Sequence, residues 1–285
     1  MYTQSITRAH PTAFILLIDA SGSMSEPIRF HGRSMTKAEA VAAVTNELLF
    51  ELIERARRED GVRPYYDIAV LGYGGDNEVR SMLPGGQELV SVRELAAFDV
   101  QQVRETGEFR LPNGSCVLRD TVRPVWIRPR AAGQTPMYQA LCKARELAAA
   151  WCRLAEHAES FPPVVFNITD GEATDCTDDE LRDAAARLRE LGTDDGAVLL
   201  VNIHIASGDD VAGICFPTEE DSAYPNRYAS LLYDCSSVMP DSFNEAIRDM
   251  KSRSAQPPFR GMSYNATATE LLSMLNIGSI SVKTE

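Results

Sequence analysis

The stretch that decides the fold is "LLIDASGSMS", Leu16–Ser25. An apolar run ends in one acid, and then Ser21, Ser23 and Ser25 alternate with Gly22 and Met24. Counted from its beginning, the run is "AFILLID", Ala13–Asp19, with no polar residue before the acid. A strand that alternates would face water on one side. One that is apolar throughout is covered on both faces, as in a parallel sheet between helices. Its polar end has three explanations: a tight turn, a nucleophilic enzyme site, or half of a metal site.

Three later segments resemble the first: "YDIAVLGYG" (Tyr66–Gly74), "PVVFNITD" (Pro163–Asp170) and "AVLLVNIHIA" (Ala197–Ala206). Helical spacing fills the intervals. From Lys37 to Asp60, Val41, Val44, Leu48, Leu52 and Ala56 recur in steps of three or four, and Thr36 with Glu39 forms a capping box. A second amphipathic stretch runs from Pro136 to His157, with proline in a favoured first position. Thr177 and Glu180 open a third, which Gly192 closes. Strands alternating with helices predict an α/β fold: a doubly wound, mostly parallel central sheet flanked by helices, with an antiparallel edge.

We read residues 1–285 as a single domain. Within it, residues 81–133 break the rhythm and form an elaboration. Val90–Glu105 is ambiguous and partly helical in pattern, whereas "CVLRDTVRPVWIRP" (Cys116–Pro129) alternates and reads as an edge strand. Residues 207–285 read as a helical extension on the same domain, with short helices near Tyr228–Cys235 and Ser242–Lys251 and a last one at Ala266–Leu275.

In an open α/β sheet, ligands bind beyond the carboxyl ends of the strands. Asp19, Ser21 and Ser23 follow the first run, Asp170 in "ITDG" follows the third, and Thr135 in "GQTPM" precedes the second helix. All five carry hard oxygen donors, which suit a small dication such as Mg²⁺. With only two acids among them the ion stays electrophilic, and an acidic side chain from another molecule can replace one of its waters.

"DASGS" matches the D-x-S-x-S signature of the von Willebrand factor A domain family, and Thr135 and Asp170 match its other two metal-ligand motifs in the same order. The resemblance spans about Phe14 to Ala206, and the closing helix at "YNATATELLSML" is similar too. It implies a Rossmann-like fold with a metal-ion-dependent adhesion site, at which Mg²⁺ (or Mn²⁺ or Ca²⁺) is held by Asp19, Ser21, Ser23, Thr135 and Asp170. The nearest likeness is to bacterial intracellular members of the tellurite-resistance TerY type. These imply a non-enzymatic, cytoplasmic module for a protein partner presenting Asp or Glu, such as a kinase, a phosphatase or a MoxR-type ATPase, in a signalling or stress-response assembly. Two departures bear on the partner. Family members usually enter the first helix sooner after the signature, whereas here "MSEPIRFHGRSM" intervenes, and the 81–133 elaboration leads into Thr135.

Bland readings stand beside these. Thr135 could also be only the N-cap of the second helix, while Ser25 and His31 read as loop residues, Glu172 and Asp175 as solvated acids, and Trp126 and Trp151 as packing residues. A metal-dependent hydrolase or phosphatase is the main rival. Haloacid-dehalogenase-type sites, however, carry a second aspartate where Ser21 stands. No GxSxG elbow or Walker A loop is present, and "LGYGGDNE" is not a dinucleotide fingerprint. A surface adhesin is the third reading, against which the N-terminus shows no secretory signal pattern.

Composition narrows the partners. Of 285 residues, 44% are hydrophobic, and 41 acids against 28 bases give a net charge of -13. That balance disfavours nucleic acid and anionic membrane surfaces. No apolar stretch approaches the roughly 20 residues of a membrane span. None of the six cysteines forms a CxxC pair, so reduced thiols are expected.

Overall fold

The computed structural model describes residues 2–30, 33–110, 116–205, 213–221, 224–251 and 254–280. Its centre is strand β1 (Thr12–Ala20), buried at every position. Side chains divide by the two-residue period of a strand. Phe14, Leu16 and Ile18 enter one core, while Ile15 and Leu17 enter the other.

After β1 come the hairpin strands β2 (Pro27–Phe30) and β3 (Arg33–Thr36), helix α1 (Lys37–Ala56), and β4 (Tyr66–Gly74), which lies parallel to β1. The chain then makes β5 (Glu78–Ser81), helix α2 (Val92–Ala97), strands β6 (Gln101–Arg110) and β7 (Cys116–Val125), and α3 (Met137–Cys152). From α3 it crosses to the other side of β1 and enters β8 (Val164–Thr169). Helix α4 (Asp178–Arg189), β9 (Leu199–Ile205), α5 (Arg227–Cys235), α6 (Asn244–Met250), β10 (Met262–Ala266) and α7 (Ala268–Ile280) complete the order.

The sheet runs β10-β9-β8-β1-β4-β5, with the first five of these parallel. Antiparallel pieces close both edges: residues 214–215 against β10, and β5 with residues 90–91 against β4. The doubly wound α/β expectation therefore holds, with antiparallel pairs at two edges rather than one. Helices α1, α2, α6 and α7 cover one face; α3, α4 and α5 cover the other. Connections leave β1 and β8 in opposite directions, and this divergence makes a crevice at their carboxyl ends.

Three sequence expectations need correction. The alternating stretch at Cys116–Pro129 is not an edge of the central sheet: β7 pairs in register with β6 as a separate two-stranded ribbon. The region after residue 207 is not only helices and loops, since β10 adds a parallel strand to the sheet. Thr135 is not the cap of the second helix; Pro136 holds that position. The capping boxes at Thr36–Glu39 and Thr177–Glu180 form as read. Trp126 and Trp151 are buried, each donating its indole N–H inside the molecule, to Leu95 O and Asp67 Oδ2. Cys142, Cys152, Cys176, Cys215 and Cys235 are free thiols. His31 lies outside the described residues.

Candidate functional site

The carboxyl ends of β1 and β8 lie side by side because Ile18 pairs with Ile168. This register puts Asp19 next to Thr169, whose Oγ1 donates to Asp19 Oδ2 at 2.8 Å. The other carboxylate oxygen accepts from Ser21 N at 2.8 Å. A short turn of 3-10 helix at Gly22–Ser25 follows, pinned by the fully buried Met24. It aims Ser21 and Ser23 the same way, their Oγ atoms 3.1 Å apart. Ser23 Oγ then donates to Asp170 Oδ1 at 2.7 Å. Asp19, Ser21, Ser23 and Asp170 are thus one hydrogen-bonded cluster, although 147 residues separate Ser23 from Asp170. Ser25 stands apart and donates to Gly22 O at 2.7 Å.

Thr135 reaches the same end of the sheet on a strap of extended backbone. Ala132 N donates to Ala20 O, Gly75 N to Ala132 O, and Gly22 N to Gly133 O, at 2.7, 2.6 and 3.0 Å. Gly133 sits at φ +73°, where a Cβ would collide with the Gly75 backbone, so only glycine allows this approach. Thr135 is buried, and its backbone is fixed to Thr174: Thr135 N donates to Thr174 Oγ1, and Thr174 N donates to Thr135 O, both at 3.0 Å.

Asp175, read as a solvated acid, has a structural task instead. Its two carboxylate oxygens accept from Tyr138 N and Gln139 N at 3.1 and 3.0 Å, satisfying the first turn of α3. Pro136 cannot supply a side-chain cap there, and a carboxylate at a helix N-terminus suits the dipole. Glu172 is exposed, as expected.

Electrostatically the two acids of the cluster differ. Asp170 is paired: Lys37 Nζ lies 2.8 Å from its Oδ2 and 2.7 Å from Glu26 Oε2. Asp19 is 1% exposed and makes no ion pair with any described residue. Burial pushes its carboxyl up to about 6, against the hydrogen bonds from Ser21 and Thr169, and the negative charge of Asp170 adds to the rise. Below the cluster lies His204, stacked on Tyr264 at 4.3 Å and accepting from Asn265 N through Nδ1. Burial holds its imidazole neutral, down to about 4. Tyr228, also buried, donates its hydroxyl to Gly171 O.

The spacing of these oxygens is informative. Neighbouring ligands of an octahedral ion at 2.0–2.1 Å stand about 3.0 Å apart. The Ser21–Ser23 separation of 3.1 Å and the Ser23–Asp170 separation of 2.7 Å are close to such an edge. A buried carboxylate without a cation beside it completes a donor set that fits a small hard dication. Lys37, Glu26 and Thr169 are members of this site that the motifs did not reveal. The one signal for Lys37 was a cation at the first position of a helix, where the dipole disfavours it.

No protein-family model and no curated protein sequence matches the chain. Among solved structures it is similar to a von Willebrand factor type A protein from Catenulispora acidiphila, with 17% identity and a TM-score of 0.41 over 69% of this chain and 34% of that one. It is also similar to the vWF domain of the type V pili tip protein Mfa5 from Porphyromonas gingivalis, with 12% identity and a TM-score of 0.32 over 57% of this chain and 39% of that one. The chain thus spans about a third of the first and two-fifths of the second. Among the described residues no helix is long and apolar enough to cross a membrane.

Proposed function

We propose that this chain is a metal-dependent protein-binding module of the von Willebrand factor A type. Its Mg²⁺ site is formed by Asp19, Ser21, Ser23, Thr135 and Asp170, and it takes an Asp or Glu side chain of a partner protein. The observation that carries the reading is the uncompensated carboxylate of Asp19, buried beside two aligned hydroxyls and a second acid at the point where the sheet's connections diverge. A bound dication would supply an electrophilic coordination position for the incoming carboxylate.

The chain's own residues prepare that position. Ser21 N and Thr169 Oγ1 hold both oxygens of Asp19, which fixes its orientation. The strap through Gly133 carries Thr135 to the same edge, and its bonds to Thr174 keep it there. Ser21 and Ser23 contribute oxygen without charge, so a cation there would be only partly neutralised.

His204 supports a binding role over a hydrolytic one. The imidazole is stacked, buried and engaged through Nδ1, and so is poorly placed to reach a substrate proton. The proposed setting remains that of the intracellular bacterial relatives, with a kinase, phosphatase or MoxR-type ATPase as partner. The test is isothermal titration with Mg²⁺. The parent should bind one ion and Asp19→Ala none; equal binding by the two proteins rules the site out. A pull-down in Mg²⁺ against EDTA should then retain the partner only with the ion.

A further inference from the structure

Between Ser23 and α1, β2 and β3 pair with each other as an antiparallel hairpin and, among the described residues, with no other strand. Pro27 faces Thr36 in its last pair, so the next residues outward, Glu26 and Lys37, meet at its neck. There Lys37 N donates to Glu26 O at 3.0 Å. The hairpin therefore leaves the Ser21–Ser25 turn at Glu26 and returns to the same place at Lys37. Its neck delivers one acid and one base to the edge of the cluster.

The Lys37 side chain is 1% exposed and that of Asp170 is 0% exposed, whereas Glu26 is 53% exposed. A buried ammonium is tolerated only when paired, and removing one partner of such a pair is costly. Among the described residues the ammonium has two carboxylate seats. The inner one is Asp170 Oδ2, and the other oxygen of that carboxylate is held by Ser23 Oγ. The outer one is Glu26 Oε2, which borders solvent.

We infer that Lys37 is a tethered counter-cation that occupies Asp170 in the metal-free protein and lowers the affinity of the site for a dication. This rests on the metal reading above and adds a control to it. An ion beside Ser21 and Ser23 draws on the same Asp170 carboxylate and repels the ammonium. Lys37 then yields its inner seat and keeps Glu26, so loading breaks one of its ion pairs and leaves the other. The hairpin that separates the serine turn from α1 thereby sets how readily the site fills.

The experiment is titration of the full chain with Mn²⁺, following free ion by electron paramagnetic resonance, for the parent, Lys37→Met and Glu26→Gln. Lys37→Met keeps the apolar stem and removes the charge, and it should bind Mn²⁺ about tenfold more tightly or better. Glu26→Gln removes the outer seat and should bind about threefold more weakly. If Lys37→Met does not fold, as judged by circular dichroism in EDTA, Lys37→Gln takes its place with the same expected direction. A crystal structure of the parent with Mn²⁺ should show Lys37 Nζ off Asp170 and still on Glu26. Equal or weaker binding by the charge-removed variant overturns this inference alone, as does a loaded structure with Lys37 still on Asp170. Absence of binding by every protein overturns the metal reading and this inference with it.

Discussion

Asp67, half-buried, and Asp19, buried, are carboxylates on adjacent strands at opposite ends of one sheet. At the amino end of β4, Asp67 accepts from the Trp151 indole N–H at 2.8 Å, and that indole is stacked on His157 at 3.9 Å. Beside it, the Thr12 hydroxyl donates to Phe161 O at 3.0 Å. Asp67 and Thr12 are each matched with structural neighbours, whereas the buried Tyr66 and Ser160 hydroxyls close by have no hydrogen-bond partner among the described residues. At the carboxyl end of β1, Asp19 also has hydrogen bonds, but its neighbours Ser21, Ser23 and Asp170 bond largely to one another. Ser23 spends its O–H on Asp170, so Ser21 donates in the contact between the two hydroxyls, and lone pairs remain over. Asp67 and Thr12 at the amino end help to close the fold, and the carboxyl end holds the oxygen donors that the proposed cation would use.

The largest expected break in this contrast comes from Asp19→Asn. It keeps the shape of the side chain and removes the charge, so Mg²⁺ affinity should fall by about 100-fold or more. In EDTA the melting temperature should stay level or rise, because an unpaired buried charge has been taken out of the protein. A marked loss of metal-free stability would show that the Asp19 charge serves the fold. The converse variant is Trp151→Phe. It removes the indole donor to Asp67 and should lower stability by about 1–3 kcal/mol in urea unfolding, with Mg²⁺ affinity unchanged. A change in metal affinity there would mean that the two ends are coupled through the sheet.

The parts legible in the sequence are those that local physics determines. The runs at Ala13–Asp19 and Tyr66–Gly74 had to be covered on both faces, and they became central strands. Capping boxes involve residues three apart, so Thr36–Glu39 and Thr177–Glu180 could be read directly. Alternation in Cys116–Pro129 announced a strand but not its partner, and β7 joined β6 instead of the central sheet. Met262–Ala266 escaped notice because "MSYNA" carries no apolar run. In the site, Asp19, Ser21 and Ser23 stood together in one motif, whereas Lys37 and Asp175 acquired their roles from partners across the fold. Lys37 pairs with Asp170, 133 positions away, and Asp175 caps α3 from 37 positions away. No local pattern encodes either contact.

The smallest effect is expected at Asp67 itself, and it is read through its pH dependence. Burial pushes the Asp67 carboxyl above its ordinary value of 3.8; the Trp151 N–H and then His157 oppose the rise, and Glu94 and Glu156 add to it. The folded state therefore holds this proton more tightly than the unfolded chain. The stability contributed is fully present below pH 3.8 and is lost as the pH rises through the folded value. At neutral pH the ionised group is a net burden that its hydrogen bond only partly offsets. Asp67→Asn keeps an oxygen for the Trp151 N–H and removes the charge, so it should be more stable than the parent at pH 7, by less than about 1 kcal/mol. The gain should shrink as the parent protonates on approach to pH 4, and urea unfolding of both proteins across that range measures it. Should Asp67→Asn instead be less stable at pH 7, the Asp67 charge itself would be holding Trp151 and His157 in place. The amino end would then depend on an ionised group, and the contrast with Asp19 would rest on the partner each charge has within the fold.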